Sequence, residues 1–300
     1  VRILLTGASG FVGRSLADAL VAAGFDVRGA YRARPRHQPA KVEPFIIGDL
    51  SSDTDWRAAL RGVDVVVHLA GPAHARFREE ELQRAIVGGA SSLALQAAGA
   101  GVCRFIYVSS IKAVAAGSSG TPIREMDIPQ PTDAYGRAKA DAERTVASVS
   151  ALCSVVLRPP LVHAADAKAN FGALLRLASL PAPLPLGCIG NKRSLLSRRS
   201  LVAAVTAVLR SPSGPSGVFH LADRPSLSTT QIVAALRRGM GRPEQLFACP
   251  ALHPILPRVL FADSDVDDAL FRTHYGYGDC TSASSIALIE ETGREWMRRA

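Results

Sequence analysis

The chain has 300 residues, 48% apolar, 20% charged and 6% aromatic, which excludes a disordered or fibrous protein and suits one domain with a sizeable appendage, or two. Thirty-five Lys plus Arg against 26 Asp plus Glu leave a net charge of +9. That excess suits an anionic ligand such as a nucleotide, a nucleic acid or a membrane surface, and does not choose among them.

The first expected strand, 3–5, runs into Thr6-Gly7-Ala8-Ser9-Gly10-Phe11-Val12-Gly13. Gly7 suits the tight turn, Gly10 lets backbone approach a pyrophosphate, and Gly13 allows close packing of helix on strand. A helix follows, with Val12, Leu16, Leu20 and Ala23 at helical spacing and Gly24 as its stop. A dinucleotide phosphate would then lie at the helix N-terminus, where unpaired N–H groups and the dipole favour it. The second strand, 26–30, ends at Tyr31-Arg32, with Arg34 and Arg36 beyond and no acid at its tip. Arg32 could pair with a ribose 2′-phosphate, which leans toward NADP over NAD; a solvated basic loop is the competing reading. A third strand, 44–47, leads to Gly48-Asp49-Leu50, which places Asp49 to accept from an adenine amino group or to cap a helix.

A helix is expected at 55–61 and a strand at 63–69, apolar at nearly every position as a strand buried on both faces should be. His68 within it reads as a buried, hydrogen-bonded core residue. A helix at 79–98 and a strand at 105–109 follow, the latter ending in Ser109-Ser110 at the carboxyl edge where such sheets bind ligands. The next helix, 134–148, carries Tyr135 and Lys139 four residues apart, on one face. That spacing alone is common on surfaces. In this order after a glycine loop and strand-end serines, the field of Lys139 would lower the Tyr135 pKa toward the range of a general acid/base, with Ser110 holding the reacting oxygen.

After a strand at 153–157 the alternation ends in Arg158-Pro159-Pro160 and Pro181-Ala182-Pro183-Leu184-Pro185, and the run 217–221 looks like a strand returning to the sheet. The expected fold is α/β: a Rossmann-type doubly wound parallel sheet with a smaller, discontinuous C-terminal substrate domain. The dinucleotide-binding domain takes 1–159 plus about 197–223; the substrate domain takes 160–196 and 224–300. Cysteines at 103, 153, 188, 249 and 280 form no Cys-x-x-Cys pair, which argues against a zinc site or a disulfide framework and fits a reducing cytoplasm. No metal is expected. No apolar run spans a membrane and the first residues carry no cleavable signal pattern, so the expectation is a soluble cytoplasmic protein.

The sequence resembles the extended short-chain dehydrogenase/reductase superfamily, and within it the nucleotide-sugar epimerase/dehydratase group. The resemblance is carried by the segment from Thr6 to Gly13, Gly48-Asp49-Leu50, Val66-Val67-His68-Leu69-Ala70-Gly71, Phe105-Ile106-Tyr107-Val108-Ser109-Ser110, the segment from Tyr135 to Lys139, and Leu157-Arg158-Pro159-Pro160. It implies that Ser110, Tyr135 and Lys139 form a catalytic triad and that Leu69, Ala70 and Gly71 pass beside the cofactor. With the loop and strand-tip readings above, the expected cofactor contacts also include Gly7, Ser9, Gly10, Phe11, Val12, Arg32, Asp49, Leu50, Tyr135 and Lys139; the expected substrate contacts are Ser110 and, as the resemblance implies, Asn170 and Arg193 on the nucleotide diphosphate.

Three departures stand out. Ala85-Ile86-Val87-Gly88-Gly89 replaces a segment that in relatives starts with Asn and ends with Thr; Ile111-Lys112 replaces the Asp-Glu of family dehydratases; and Leu196-Ser197-Arg198-Arg199-Ser200 replaces a stretch that normally includes an Asp. Without the Asp-Glu pair, elimination of water lacks its proton carriers. What remains is NAD(P)-dependent hydride transfer at hexose C4 of a UDP-type sugar, with a lean, through Arg32, toward an NADPH-dependent 4-ketoreductase over an NAD-dependent 4-epimerase. A non-catalytic dinucleotide-binding regulator is the alternative from another class, and no recognition motif supports nucleic-acid binding. The resemblance further suggests surface-polysaccharide precursor synthesis and a homodimer packed through long helices.

Overall fold

The computed structural model describes residues 1–35, 41–72, 77–251, 256–277 and 283–299; Arg36 and Cys280 lie outside them. Six strands of the first half are parallel neighbours: β1 (Arg2–Thr6), β2 (Asp26–Tyr31), β3 (Val42–Ile46), β4 (Val65–His68), β5 (Arg104–Val108) and β6 (Cys153–Arg158). β4 and β5 are buried at every position, because helices cover both faces and leave no solvent side. β7 (Leu161–His163) and β8 (Leu195–Ser197) pair apart from this sheet, and β9 (Gly217–His220) returns to it beside β6. The order is β3-β2-β1-β4-β5-β6-β9, so the expected doubly wound parallel sheet is observed. Strand order reverses between β1 and β4, which opens a crevice at their carboxyl ends.

A short amphipathic segment forms a helix in one place and not in another. α1 (Gly13–Ala22) buries Leu16, Ala17 and Leu20, and Gly24 leaves it at φ +85°. The helix expected at 55–61 is a series of turns. Gln96 Oε1 accepts from the Trp56 amide at 2.8 Å, and Gly62, at φ +67°, redirects the chain after a single turn. The helix expected at 79–98 is present but interrupted: α2 (Glu79–Leu82) opens into a wide turn over 83–88 before α3 (Gly89–Gly99). The turn seats Gly88 and Gly89 on the loop after β3, where an added Cβ would lie 3.0 Å from the Ser52 amide and 3.3 Å from Leu50. α4 (Ala134–Ala147) packs beside it.

The second half adds α5 (Ala169–Ala178), α6 (Arg198–Arg210), α7 (Thr229–Gly239), α8 (Ala269–His274) and α9 (Ser285–Arg299). α1 and α6 cover one face of the sheet with Leu16, Leu20, Leu201 and Val205, while α3 and α4 cover the other with Leu93, Ala97, Ala138 and Ala142. A separate core joins Phe171 and Leu175 of α5, Val233 and Leu236 of α7 and Ile289 of α9. Phe271 and Tyr277 pack in the main-sheet core instead, and the Tyr277 hydroxyl accepts from the Ala222 amide at 2.9 Å. Among the described residues, no helix is long and apolar enough to cross a membrane.

Candidate active site

The crevice at the strand reversal is closed below by one hydroxyl. Thr6 Oγ1 accepts from the amides of Leu69 (3.2 Å) and Ala70 (3.1 Å) and shares a hydrogen bond with His68 Nδ1 at 2.7 Å. His68 is neutral: burial, then the charge of Lys139, pushes its pKa down to about 3. The expected core role of His68 holds.

Above this tie, Gly7 takes φ +70°, and a Cβ on it would lie 3.0 Å from the Ala70 amide. A Cβ on Gly13 would lie 2.0 Å from the Gly7 carbonyl oxygen, so the loop closes onto α1 only with glycine there. Ser9 and Gly10 are exposed. α1 starts without a side-chain cap, which leaves its first amides for an anion. The backbone therefore fits a dinucleotide diphosphate. Val12 packs into the core below, and Phe11 lies under the Arg198 guanidinium, 4.9 Å from its ring centre. Leu69, Ala70 and Gly71 line the β4 side of the crevice.

At the far side, Arg32 Nε stands 3.9 Å from Asp49 Oδ1 with the two side chains 82% and 74% exposed. Such a pair holds neither group in place. Arg34 is exposed too. Leu50 turns toward Gly89 and the long helix.

The expected catalytic residues come together at the ends of β5 and the start of α4. Ser109 and Ser110 separate in role: the Ser109 hydroxyl donates to Glu143 Oε1, whereas Ser110 Oγ accepts from the Lys112 amide at 3.3 Å and eases ionisation of the Tyr135 phenol. Lys139 Nζ donates to the Val108 carbonyl at 3.0 Å and lies 5.9 Å from the Tyr135 ring centre. One expectation is reversed. Tyr135 is not lowered by Lys139; burial and then the Asp133 charge push it up to about 12, with the Ser110 hydrogen bond working the other way. Burial pushes Lys139 down to about 8, opposed by Glu143. Desolvation outweighs the field across the helical turn.

Several residues that hold these groups were not picked out by sequence. Asp133 caps α4 by accepting from the Gly136 amide at 2.7 Å and pairs with Lys112 Nζ at 2.7 Å. Asp133 had a cap signal just ahead of the helix; Lys112 had been noted only as a missing acid. Arg198 donates to the Phe11 carbonyl at 3.2 Å and to Asp166 at 2.7 Å, so the stretch 196–200 ties the phosphate loop to the second half with an Arg.

Asn170 is exposed in the first turn of α5. Arg193 is on a separate segment that pairs with Leu227 and Ser264, and its guanidinium donates to the Val259 carbonyl at 2.9 Å. Among the described residues, no contact brings these two together. A groove of about 350 Å³ between Glu79, Gln83, Pro131, Arg137 and Arg144 lies on the other side of α4 from Lys139.

The sequence profile of the NAD dependent epimerase/dehydratase family matches residues 3–222. UDP-glucose 4-epimerase of Vibrio cholerae is 35% identical over 282 residues, 90% of this chain and 85% of that protein. Ceramide reductase of Caulobacter vibrioides is 30% identical over 270 residues, 88% and 77% of the two chains. The crystal structure of UDP-N-acetylglucosamine 4-epimerase from Bacillus cereus superposes with a TM-score of 0.82 at 20% identity, covering 99% of each chain; at that identity it speaks for the fold.

Proposed function

Because the chain belongs to the NAD-dependent epimerase/dehydratase family, we propose that it transfers hydride at C4 of a UDP-type hexose and acts as a 4-epimerase. The observation that carries this reading is the convergence of Ser110, Tyr135 and Lys139 at the carboxyl end of β5. A bound nicotinamide dinucleotide supplies the acceptor and donor of the C4 hydride. Gly7, Ser9, Gly10, Phe11 and Val12 would hold its diphosphate, Asp49 and Leu50 its adenosine end, and Leu69, Ala70 and Gly71 the β4 side.

Tyr135 takes the C4 hydroxyl proton as the hydride departs and returns it when the hydride comes back on the other face. Ser110 would hold the same oxygen by donating its hydroxyl proton to it. A phenol raised by burial ionises only with charge compensation nearby, and Lys139, one helical turn away, is placed to give it. Asn170 and Arg193 remain candidates for the diphosphate of the substrate; for Arg193 this requires the guanidinium to exchange its bond to Val259.

An NADPH-dependent 4-ketoreductase is the second reading, favoured by the basic tip at Arg32. It loses ground because Arg32 is exposed and loosely paired, and because the relative matching 90% of this chain is named an epimerase. We expect a cytoplasmic homodimer built on the long helices, where Leu95 is 60% exposed; light scattering of the purified protein tests the dimer. Incubation with UDP-glucose tests the function: epimerisation at C4 with tightly held NAD supports the epimerase, whereas NADPH consumption by a 4-keto-sugar nucleotide without epimerisation supports the reductase.

A further inference from the structure

Lys139 is fully enclosed, and each element packed on it offers something different. β4 presents neutral His68; β5 presents the Val108 carbonyl at 3.0 Å and the Tyr107 ring, 4.8 Å from Nζ. α4 itself presents Tyr135 and, one turn further on, Glu143. Among these described neighbours, Glu143 is the one carboxylic side chain, the acidic counterpart of Lys139. It is 6% exposed, accepts from Ser109 and receives Arg158 Nε on both oxygens at 3.0 and 3.1 Å. Arg158 in turn reaches His220 at 3.4 Å. A buried ion pair of this kind is a poor source of stability compared with apolar packing. Its place one turn below the candidate acid/base lysine gives it another use.

We propose that Glu143 is a positioning residue of the active site: its carboxylate holds Lys139 in the cationic form, and through Ser109 it fixes α4 against the strand end that carries Ser110. Arg158 completes the arrangement by donating to both oxygens of the Glu143 carboxylate where water does not reach. The effect on turnover rests on the reading of Ser110, Tyr135 and Lys139 as the catalytic groups; the effect on Lys139 itself does not.

The test pairs two measurements on Glu143→Gln, which keeps the shape and can still accept from Ser109. In a ¹⁵N-resolved titration, with the Lys139 signal assigned by its loss in Lys139→Met, the midpoint near pH 8 falls by about one pH unit or more when the carboxylate is removed, and Glu143→Asp restores it. Epimerase turnover then loses its alkaline range first, so that the deficit is about tenfold larger at pH 8 than at pH 6.5. If Glu143→Gln does not fold, Glu143→Gln with Arg158→Met is compared with Arg158→Met alone, so that the carboxylate is again the only charge removed, and the same fall in the Lys139 midpoint is expected between those two variants. An unmoved Lys139 midpoint, or a loss of turnover that is equal at every pH, overturns the proposal. A moved midpoint in a protein that never turns over UDP-hexoses supports it and defeats the epimerase reading instead.

Discussion

Lys112 Nζ sits 2.7 Å from Asp133 Oδ2, and this pair joins the loop that carries Ser110 to the cap of the helix that carries Tyr135. The same loop meets the helix a second time: a Cβ on Gly136 would lie 2.3 Å from the Lys112 carbonyl oxygen. The two elements therefore approach at backbone distance, and the glycine between Tyr135 and Lys139 is what permits it. Family dehydratases have an acid at the position of Lys112. Here the residue pairs with Asp133, the carboxylate whose charge raises Tyr135.

Replacing Lys112 separates its electrostatic contribution from its structural one. Both side chains are part-exposed, at 49% and 39%, so the pair is worth on the order of 0.2–1 kcal/mol of stability. Lys112→Gln is expected to shift Tm by no more than a few degrees. Turnover at neutral pH should fall several-fold, because the uncompensated Asp133 makes the Tyr135 phenolate harder to form. Thermal melts beside a pH–rate profile check both parts.

Gly136→Ala should do far more damage than its size suggests. The added methyl meets backbone, which cannot rotate away, and overpacking of this kind costs about 1–3 kcal/mol. The expected outcome is a lowered denaturation midpoint together with loss of turnover well beyond that of Lys112→Gln. Urea unfolding and a rate assay on the folded fraction measure it.

Gly13→Ala probes the phosphate loop alone. With its Cβ 2.0 Å from the Gly7 carbonyl, the loop must move off α1 and its amides lose their convergence. NAD binding by titration calorimetry should weaken at least tenfold while the far-ultraviolet circular dichroism stays that of the parent.

Acid should destabilise the protein through its buried histidines. The unfolded chain protonates His68 below its ordinary 6.5, but the folded protein holds it neutral down to about 3, so the unfolded state binds the extra proton between those limits. Stability therefore falls as pH drops through that window, by about 2 kcal/mol between pH 6.5 and 5. His220, held down to about 4 by burial and then by Arg158, acts in the same direction. His68→Gln should flatten part of this dependence, which denaturation midpoints at pH 7 and pH 5 will show.

Much of the first 160 residues was legible because a two-sided parallel sheet forces continuous apolar strands such as Val65–His68, and because Gly7, Gly10 and Gly13 mark a turn that other residues cannot make. The order of Ser110, Tyr135 and Lys139 was legible for the same reason: each sits where a strand ends or a helix begins. Burial was not. The position of Tyr135 in the sequence gives its distance from Lys139 along the helix, not how much water reaches the phenol, and that decides the direction of its shift. The failed helix at 55–61 depended on Gln96, forty residues away, taking the Trp56 amide. The partners of Lys112, Arg198 and Glu143 likewise come from remote segments.

Transfer of the C4 hydrogen itself is the most direct test. UDP-glucose carrying deuterium at C4, incubated with the purified protein in ordinary water, should give UDP-galactose with the deuterium still at C4, and Tyr135→Phe should slow this by about 10²–10⁴-fold at unchanged fold. Exchange of the label into solvent, or no galactose-configured product from a folded protein that holds NAD, would contradict a hydride that leaves and returns under the control of Tyr135.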